Sequence, residues 1–228
     1  MTGNARNDPE LSPAQWINLL ATTARAYEPL WRHRSIAWLT SGDFSSAREL
    51  GTMIDWLDPQ PGDMVMDAGC SAGLYARTIA RAQDAATLYA VDISRPFLHE
   101  ARRRAHEEGL ELELLRANVE NLPFRDHVFD AIVSGGSLNE FRSLERTFAE
   151  FSRTLKADGR LFLMFASRAN SGAGRILQRG MELSGLSFPS PGEVDALAAE
   201  HGFEVVRKRA HPPVVLVMYR KIGMTERS

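Results

Sequence analysis

The stretch Val65-Met66-Asp67-Ala68-Gly69-Cys70-Ser71-Ala72-Gly73 decides how the chain is read. A short apolar run ends on an acid, and glycine follows two and six positions later. A strand that feeds a tight turn and then a helix has this form. Glycine lets the backbone approach a ligand with no Cβ in the way, and a helix beginning near Leu74 points unsatisfied N–H groups at the same place. The turn alone also fits a connection that binds nothing. Asp67 shifts the reading toward a ligand, because an acid at a strand end needs water or a hydrogen-bonding partner, and a bound amine or hydroxyl supplies one.

Outward from this turn, apolar runs of four to seven residues alternate with helical patterns of ten or more, the arrangement of a parallel sheet wrapped by helices. Strands are predicted at 64–68, 88–92, 112–116, 129–134 and 160–166, and helices at 74–83, 96–108 and 144–155. Two last strands, at 204–208 and 214–219, flank Pro212-Pro213. They stand too close for a parallel crossover of about a dozen residues, so an antiparallel ending is expected. The fold class is therefore α/β: a doubly wound, seven-stranded, mostly parallel sheet with an antiparallel last strand, plus an N-terminal helical cap.

Residues 1–11 read as a disordered tail and 12–58 as the cap. Ser12-Pro13-Ala14-Gln15 has capping-box form, and Trp16, Leu19, Leu20, Thr23 and Tyr27 recur on one helical face. Ser46-Ala47-Arg48-Glu49 reads as a second capping box, opening a helix striped by Leu50, Met53, Ile54 and Leu57. Residues 59–228 form the main domain. Within it, 169–189 is read as an inserted lid, with Gly172, Gly174 and Gly180 as hinge glycines and a short helix at 175–183. Ser190-Pro191-Gly192-Glu193 caps a further helix ending at His201.

Composition narrows the partners. At 228 residues the chain holds one core, and a net charge of −2 leaves no electrostatic footprint for nucleic acid. Cys70 is the only cysteine, the N-terminal stretch lacks the blocks of a signal peptide, and charges break every apolar window well short of a membrane span. A cytoplasmic protein without stable membrane insertion is expected, with a homodimer left open. No histidine, cysteine and carboxylate grouping has metal-ligand spacing. Cys70 reads as a small buried filler, and His99, His106 and His201 as exposed helical positions.

Four further segments complete the pattern. An apolar run closes on Asp92, 25 residues beyond Asp67; then come Asn118-Val119-Glu120-Asn121-Leu122-Pro123-Phe124, Phe129-Asp130-Ala131-Ile132-Val133 and, upstream, Tyr27-Glu28-Pro29-Leu30-Trp31. Together with the glycine turn they resemble the class I, Rossmann-like S-adenosylmethionine-dependent methyltransferases. Within that class they look most like the small-molecule group around the ubiquinone/menaquinone C-methyltransferases. The resemblance covers roughly 27–165. It departs at Ser71, where the family usually has glycine, and at Asn118-Val119, where Asp-Ala is common.

The resemblance implies S-adenosylmethionine as cofactor and S-adenosylhomocysteine as product. It implies that Asp67 helps hold the methionine end; Asp92 is read as the ribose acceptor, and Ala68, Gly69, Cys70 and Gly73 as further cofactor-binding positions of the turn. Ile93 then packs on the adenine face and Asn118 accepts from its amino group, with Val119 and Glu120 as further cofactor-binding positions, and the topological switch point of the sheet puts Ser134 and Gly135 at the reactive end. Tyr27 is open between cofactor contact and core packing. Asn139, Glu140 and Phe141 are open between pocket lining and a solvated loop. Methyl transfer is an in-line displacement that needs alignment, a dry pocket and, for some acceptors, one base; the base candidates are His33, Asp43, Glu140 and His211. The expected acceptor is a small apolar or ring-containing metabolite. Two rival classes stand beside this reading: a nucleotide-dependent oxidoreductase, disfavoured by the glycine spacing, and a scaffold that binds S-adenosylmethionine without turnover.

Overall fold

The computed structural model describes residues 45–222. The expected tail, most of the expected cap, and Tyr27, His33 and Asp43 lie outside the described residues.

The first helix, α1 (Ser46–Leu57), begins one residue earlier than the capping-box reading places it. Ser45 is the N-cap, its hydroxyl accepting from the Arg48 N–H, while Ser46 and Glu49 turn inward. Then follow β1 (Met64–Ala68), α2 (Leu74–Ala82), β2 (Thr87–Asp92), α3 (Arg95–Glu107) and β3 (Glu113–Arg116). Next come β4 (Phe129–Gly135), a 3₁₀ turn at Ser137–Glu140, α4 (Leu144–Thr154) and β5 (Leu155–Ala166). The chain continues through α5 (Gly172–Glu182), α6 (Pro191–Glu200), β6 (Phe203–His211) and β7 (Val214–Lys221).

The seven strands of the described residues form one sheet in the order β3-β2-β1-β4-β5-β7-β6. The first five are parallel, and β7 is antiparallel to both β5 and β6, as the Pro212-Pro213 spacing requires. Alternation along β5 shows why the sheet has two covered faces. Phe162 and Met164 join Met53 and Leu57 of α1 and Tyr75 and Ile79 of α2 on one side. Leu161, Leu163 and Phe165 join Phe148 and Phe151 of α4 and Val194 and Ala198 of α6 on the other. Each of the buried leucine, isoleucine, valine, phenylalanine and methionine side chains contributes about 1.5–3 kcal/mol. Chain order reverses direction between β1 and β4, and that reversal opens a crevice at the carboxyl ends of those strands.

Three expectations are corrected here. β5 starts at Leu155 rather than at 160, because Asp158, at φ 59°, lets the strand bend through Gly159 instead of ending there. α5 starts at Gly172, capped by Ser171, so Gly172, Gly174 and Gly180 lie within a helix and not in a hinge. His201 is half-buried; it stacks on Phe148 at 6.4 Å and bonds Glu145 at 3.0 Å.

Candidate active site

The turn after β1 is built from three residues with positive φ: Gly69 at 71°, Ser71 at 48° and Gly73 at 76°. Gly69 and Cys70 both donate to the Val91 carbonyl, at 2.9 and 3.0 Å, which ties the turn to the end of β2. A Cβ on Gly69 would lie 2.5 Å from the Ser137 Cβ, so only glycine fits beneath the 3₁₀ turn. There the Ser137 hydroxyl donates to the Gly69 carbonyl at 2.7 Å.

Gly73 is the N-cap of α2 and brings no side chain to cap it. Asp67 fills that role from the end of β1, its Oδ2 accepting the Ala76 N–H at 3.0 Å. Asp92 organises the other wall. Its Oδ2 accepts the Ser71 N–H at 2.9 Å and its Oδ1 the Ser94 N–H at 2.8 Å. Burial pushes the Asp92 pKa up, against the N–H donations of Ser94, Ser71 and Ile93 that pull it down. Burial, and then the charges of Asp92 and Asp67, raises the Cys70 thiol well above its ordinary value, so Cys70 stays protonated and packs as a filler.

These elements bound an open cleft. Ile93, Phe97, Val119 and Phe141 give it apolar walls; Asp92, Glu120 and Glu140 give it three carboxyl groups, and among the described residues no lysine, arginine or histidine lines it. Asn118 reaches the cleft with its Oδ1 already accepting the Glu120 N–H at 3.0 Å, which leaves one lone pair of that oxygen. Glu120 Oε1 accepts from the Arg142 and Ser143 N–H groups, so the acid both lines the cleft and orders the entry to α4.

The structure thus brings Gly69, Asp92, Ile93, Asn118, Val119, Glu120 and Glu140 to one cleft. Asp67, Ala68, Cys70, Gly73, Ser134 and Gly135 stand behind its lining. Ser134 is fully buried and donates to the Ala68 carbonyl at 2.8 Å, joining β4 to β1 under the cleft. His211 closes β6 away from the lining. Ser71, Phe97, Ala117 and Ser137 line the cleft too. Ser137 had a readable signal, its place just past Gly135-Gly136; Phe97 did not, because a helical phenylalanine reads as core.

Residues 66–163 match the family model described as a methyltransferase domain. The 2-phytyl-1,4-naphtoquinone methyltransferase of Trichormus variabilis is 30% identical over 145 residues, covering 62% of this chain and 62% of its own length. The demethylmenaquinone methyltransferase of Thermus thermophilus is 28% identical over 167 residues, 62% of this chain and 74% of that one. Among solved structures, geranyl diphosphate C-methyltransferase from Streptomyces coelicolor A3(2) superposes with a TM-score of 0.70 at 17% identity, covering 78% of each chain. The cyclase SpnF does so with a TM-score of 0.68 at 19% identity, over 78% of this chain and 82% of its own. The matched segment is thus similar to the methyltransferase domain of the class I, Rossmann-like S-adenosylmethionine-dependent methyltransferases, and the fold is one that such solved structures share. The chain spans 62% of the length of the naphthoquinone relative.

The cleft fits the cofactor of that class. Its carboxyl groups suit a cationic ligand, its apolar walls suit an adenine, and the glycine cradle under Ser137 admits close backbone approach. S-Adenosylmethionine supplies an electrophilic methyl on a sulfonium centre. Of the residues present, Asp92 could accept hydroxyl protons in hydrogen bonds, Ile93 and Val119 could exclude water, Asn118 could orient the ligand, and the acidic lining would favour a charged reactant over its neutral product.

Proposed function

We propose that this protein transfers the methyl group of S-adenosylmethionine to a small, largely apolar, ring-containing acceptor of the naphthoquinone type. The observation that carries the cofactor half is the lining itself, three carboxyl groups and, among the described residues, no basic side chain. A pyrophosphate-bearing dinucleotide would meet repulsion there, whereas a sulfonium is attracted. The acceptor half is supported by the two relatives named for naphthoquinone and menaquinone substrates and by the near-neutral net charge of −2. That charge disfavours nucleic acid. We place the reaction in the cytoplasm; among the described residues no helix is long and apolar enough to cross a membrane.

In this reading Asp67, Ala68, Gly69, Cys70 and Gly73 shape the turn under the methionine end, and Asp92 takes the ribose hydroxyls on its remaining lone pairs. Of the four base candidates, Glu140 is the one described residue on the cleft. The cyclase SpnF shares the fold, so a non-methylating use of the same cofactor is the second reading.

The test is calorimetry with S-adenosylhomocysteine and with NAD, followed by methyl transfer from labelled S-adenosylmethionine. The acceptor panel contains 2-phytyl-1,4-naphthoquinone, other apolar ring compounds, tRNA, DNA and protein. Saturable heat with the nucleoside alone and labelling of a ring compound are expected. Heat with NAD alone overturns the cofactor assignment, and labelling of a macromolecule alone overturns the acceptor class.

A further inference from the structure

The face that α1 turns to the sheet changes chemistry along its length. Its buried positions are Ser46, Glu49, Met53 and Leu57. The last two pack as apolar core, but the first turn buries a hydroxyl and a carboxyl, which costs free energy that leucine or methionine would not. This polar end lies level with the carboxyl ends of the strands. The opposite end is fixed near the start of β1, where Arg160 donates to the Asp58 carbonyl at 2.7 Å and pairs with Asp63.

Three observations converge on the polar end. Glu49 is 0% exposed and accepts the O–H of Tyr75, itself 2% exposed. The Tyr75 ring lies against Gly135, the last residue of β4, so closely that a Cβ there would stand 2.5 Å from Tyr75 Cζ. Ser46, one turn before Glu49 on the same face, is 7% exposed, and its Oγ has no hydrogen-bond partner. A buried hydroxyl without a partner is uncommon in folded proteins and calls for a reason. Here it stands beside a carboxyl–phenol pair that braces the strand end next to the cofactor cleft.

We propose that Ser46, Glu49 and Tyr75 form the polar wall of the acceptor chamber. Ser46 Oγ–H donates to a ring oxygen of the acceptor, a quinone carbonyl or its hydroxyl form. Glu49, through Tyr75, positions the Gly135 end of β4, against which the acceptor ring is aligned. The inference rests on the methyl-transfer reading and adds to it a specificity residue and a positioning pair. The competing account is that the cluster merely seats α1 on the sheet. On that account Ser46→Ala is neutral or stabilising, since it removes an unpaired buried hydroxyl.

The full chain and its Ser46→Ala, Tyr75→Phe, Glu49→Gln and Glu49→Ala variants are titrated with S-adenosylhomocysteine, and turnover is measured with 2-phytyl-1,4-naphthoquinone. S-Adenosylhomocysteine affinity within about threefold of the parent is expected throughout, with KM for the naphthoquinone raised about tenfold or more in Ser46→Ala and kcat lowered about tenfold in Tyr75→Phe. Glu49→Gln keeps an oxygen for the Tyr75 O–H and stays closer to the parent than Glu49→Ala. Parental KM and kcat in Ser46→Ala overturn the assignment. So does a Tyr75→Phe protein that loses cofactor affinity in proportion to turnover, which is the mark of a structural role. A parent that binds S-adenosylhomocysteine but leaves the naphthoquinone unmethylated overturns this inference and spares the cofactor reading, whereas a parent without that affinity overturns both.

Discussion

Asp67 caps a helix to which it does not belong: from the end of β1 its carboxylate accepts the Ala76 N–H of α2 at 3.0 Å, because the N-cap there is Gly73. The acid that ends the first strand therefore holds the shape of the turn from below. Asp67→Ala leaves a buried N–H unpaired and is expected to lower stability by about 1–3 kcal/mol. Asp67→Asn retains an acceptor oxygen and should lose less. Urea unfolding of the three proteins checks the order; equal midpoints would dismiss the capping role.

Ser71 sits between two glycines with a left-handed φ of 48° that its Cβ disfavours. Its N–H is committed to Asp92, so the backbone cannot relax without losing that bond. Ser71→Gly is expected to raise stability by about 0.5–1 kcal/mol while leaving S-adenosylhomocysteine affinity unchanged or tighter. Thermal unfolding with and without the nucleoside reads both effects. A lower midpoint would mean that the serine side chain contributes more than its strain removes.

Asp92→Ala removes the acceptor of the Ser71 and Ser94 backbone N–H groups, among others, and of the proposed ribose hydroxyls. Cofactor affinity should weaken by roughly 2–4 kcal/mol, since hydrogen bonds to a charged group are lost. In the parent, burial raises the Asp92 pKa, so the carboxyl holds its proton to higher pH when folded than when unfolded. Its contribution to stability therefore falls as pH rises through the folded value. Affinity for cationic S-adenosylmethionine runs the other way and strengthens over the same window. Isothermal titrations at several pH values should show that rise in the parent and a flat profile in Asp92→Ala.

Glu100 supplies a second pH-dependent effect, away from the cleft. Hydrogen bonds from Arg103 and then Arg104 outweigh burial and hold its pKa at about 2. A carboxylate with a depressed folded pKa stabilises fully above its unfolded value, 4.5, and loses that contribution as pH falls toward 2. Glu100→Gln should be less stable than the parent at pH 7, and the gap should close as the solution is acidified. A gap that persists at low pH would mean the loss is one of packing.

The fold was legible because its signals are local. Strand-ending acids at Asp67 and Asp92, the glycine turn between strand and helix, and the Pro212-Pro213 corner each dictate geometry within a few residues. The cofactor side of the cleft was legible for the same reason, since Gly69, Asp92, Ile93 and Asn118 sit at strand ends where a parallel sheet gathers them. The errors have local causes too. Gly172 and Gly174 suggested a hinge, yet the Ser171 hydroxyl accepts from the Gly174 N–H at 3.1 Å and starts the helix through them. Ser46-Ala47-Arg48-Glu49 satisfies the capping-box spacing, but Glu49 is drawn inward by Tyr75, 26 positions away, and Ser45 caps instead. No periodicity announces a contact of that range. The polar wall of α1 is visible only once the helix is seated.

The placement of β7 has a consequence for how the protein is made. This strand lies between β5 and β6, and all but one of its residues are buried. During synthesis β5 leaves the ribosome long before its neighbour exists, so its outer edge waits through the making of α5, α6 and β6. An unpaired, apolar strand edge is the feature most prone to capture by another chain. The nascent protein is therefore most vulnerable in that interval, when it already has its cofactor cleft but still lacks the strand that seals its sheet.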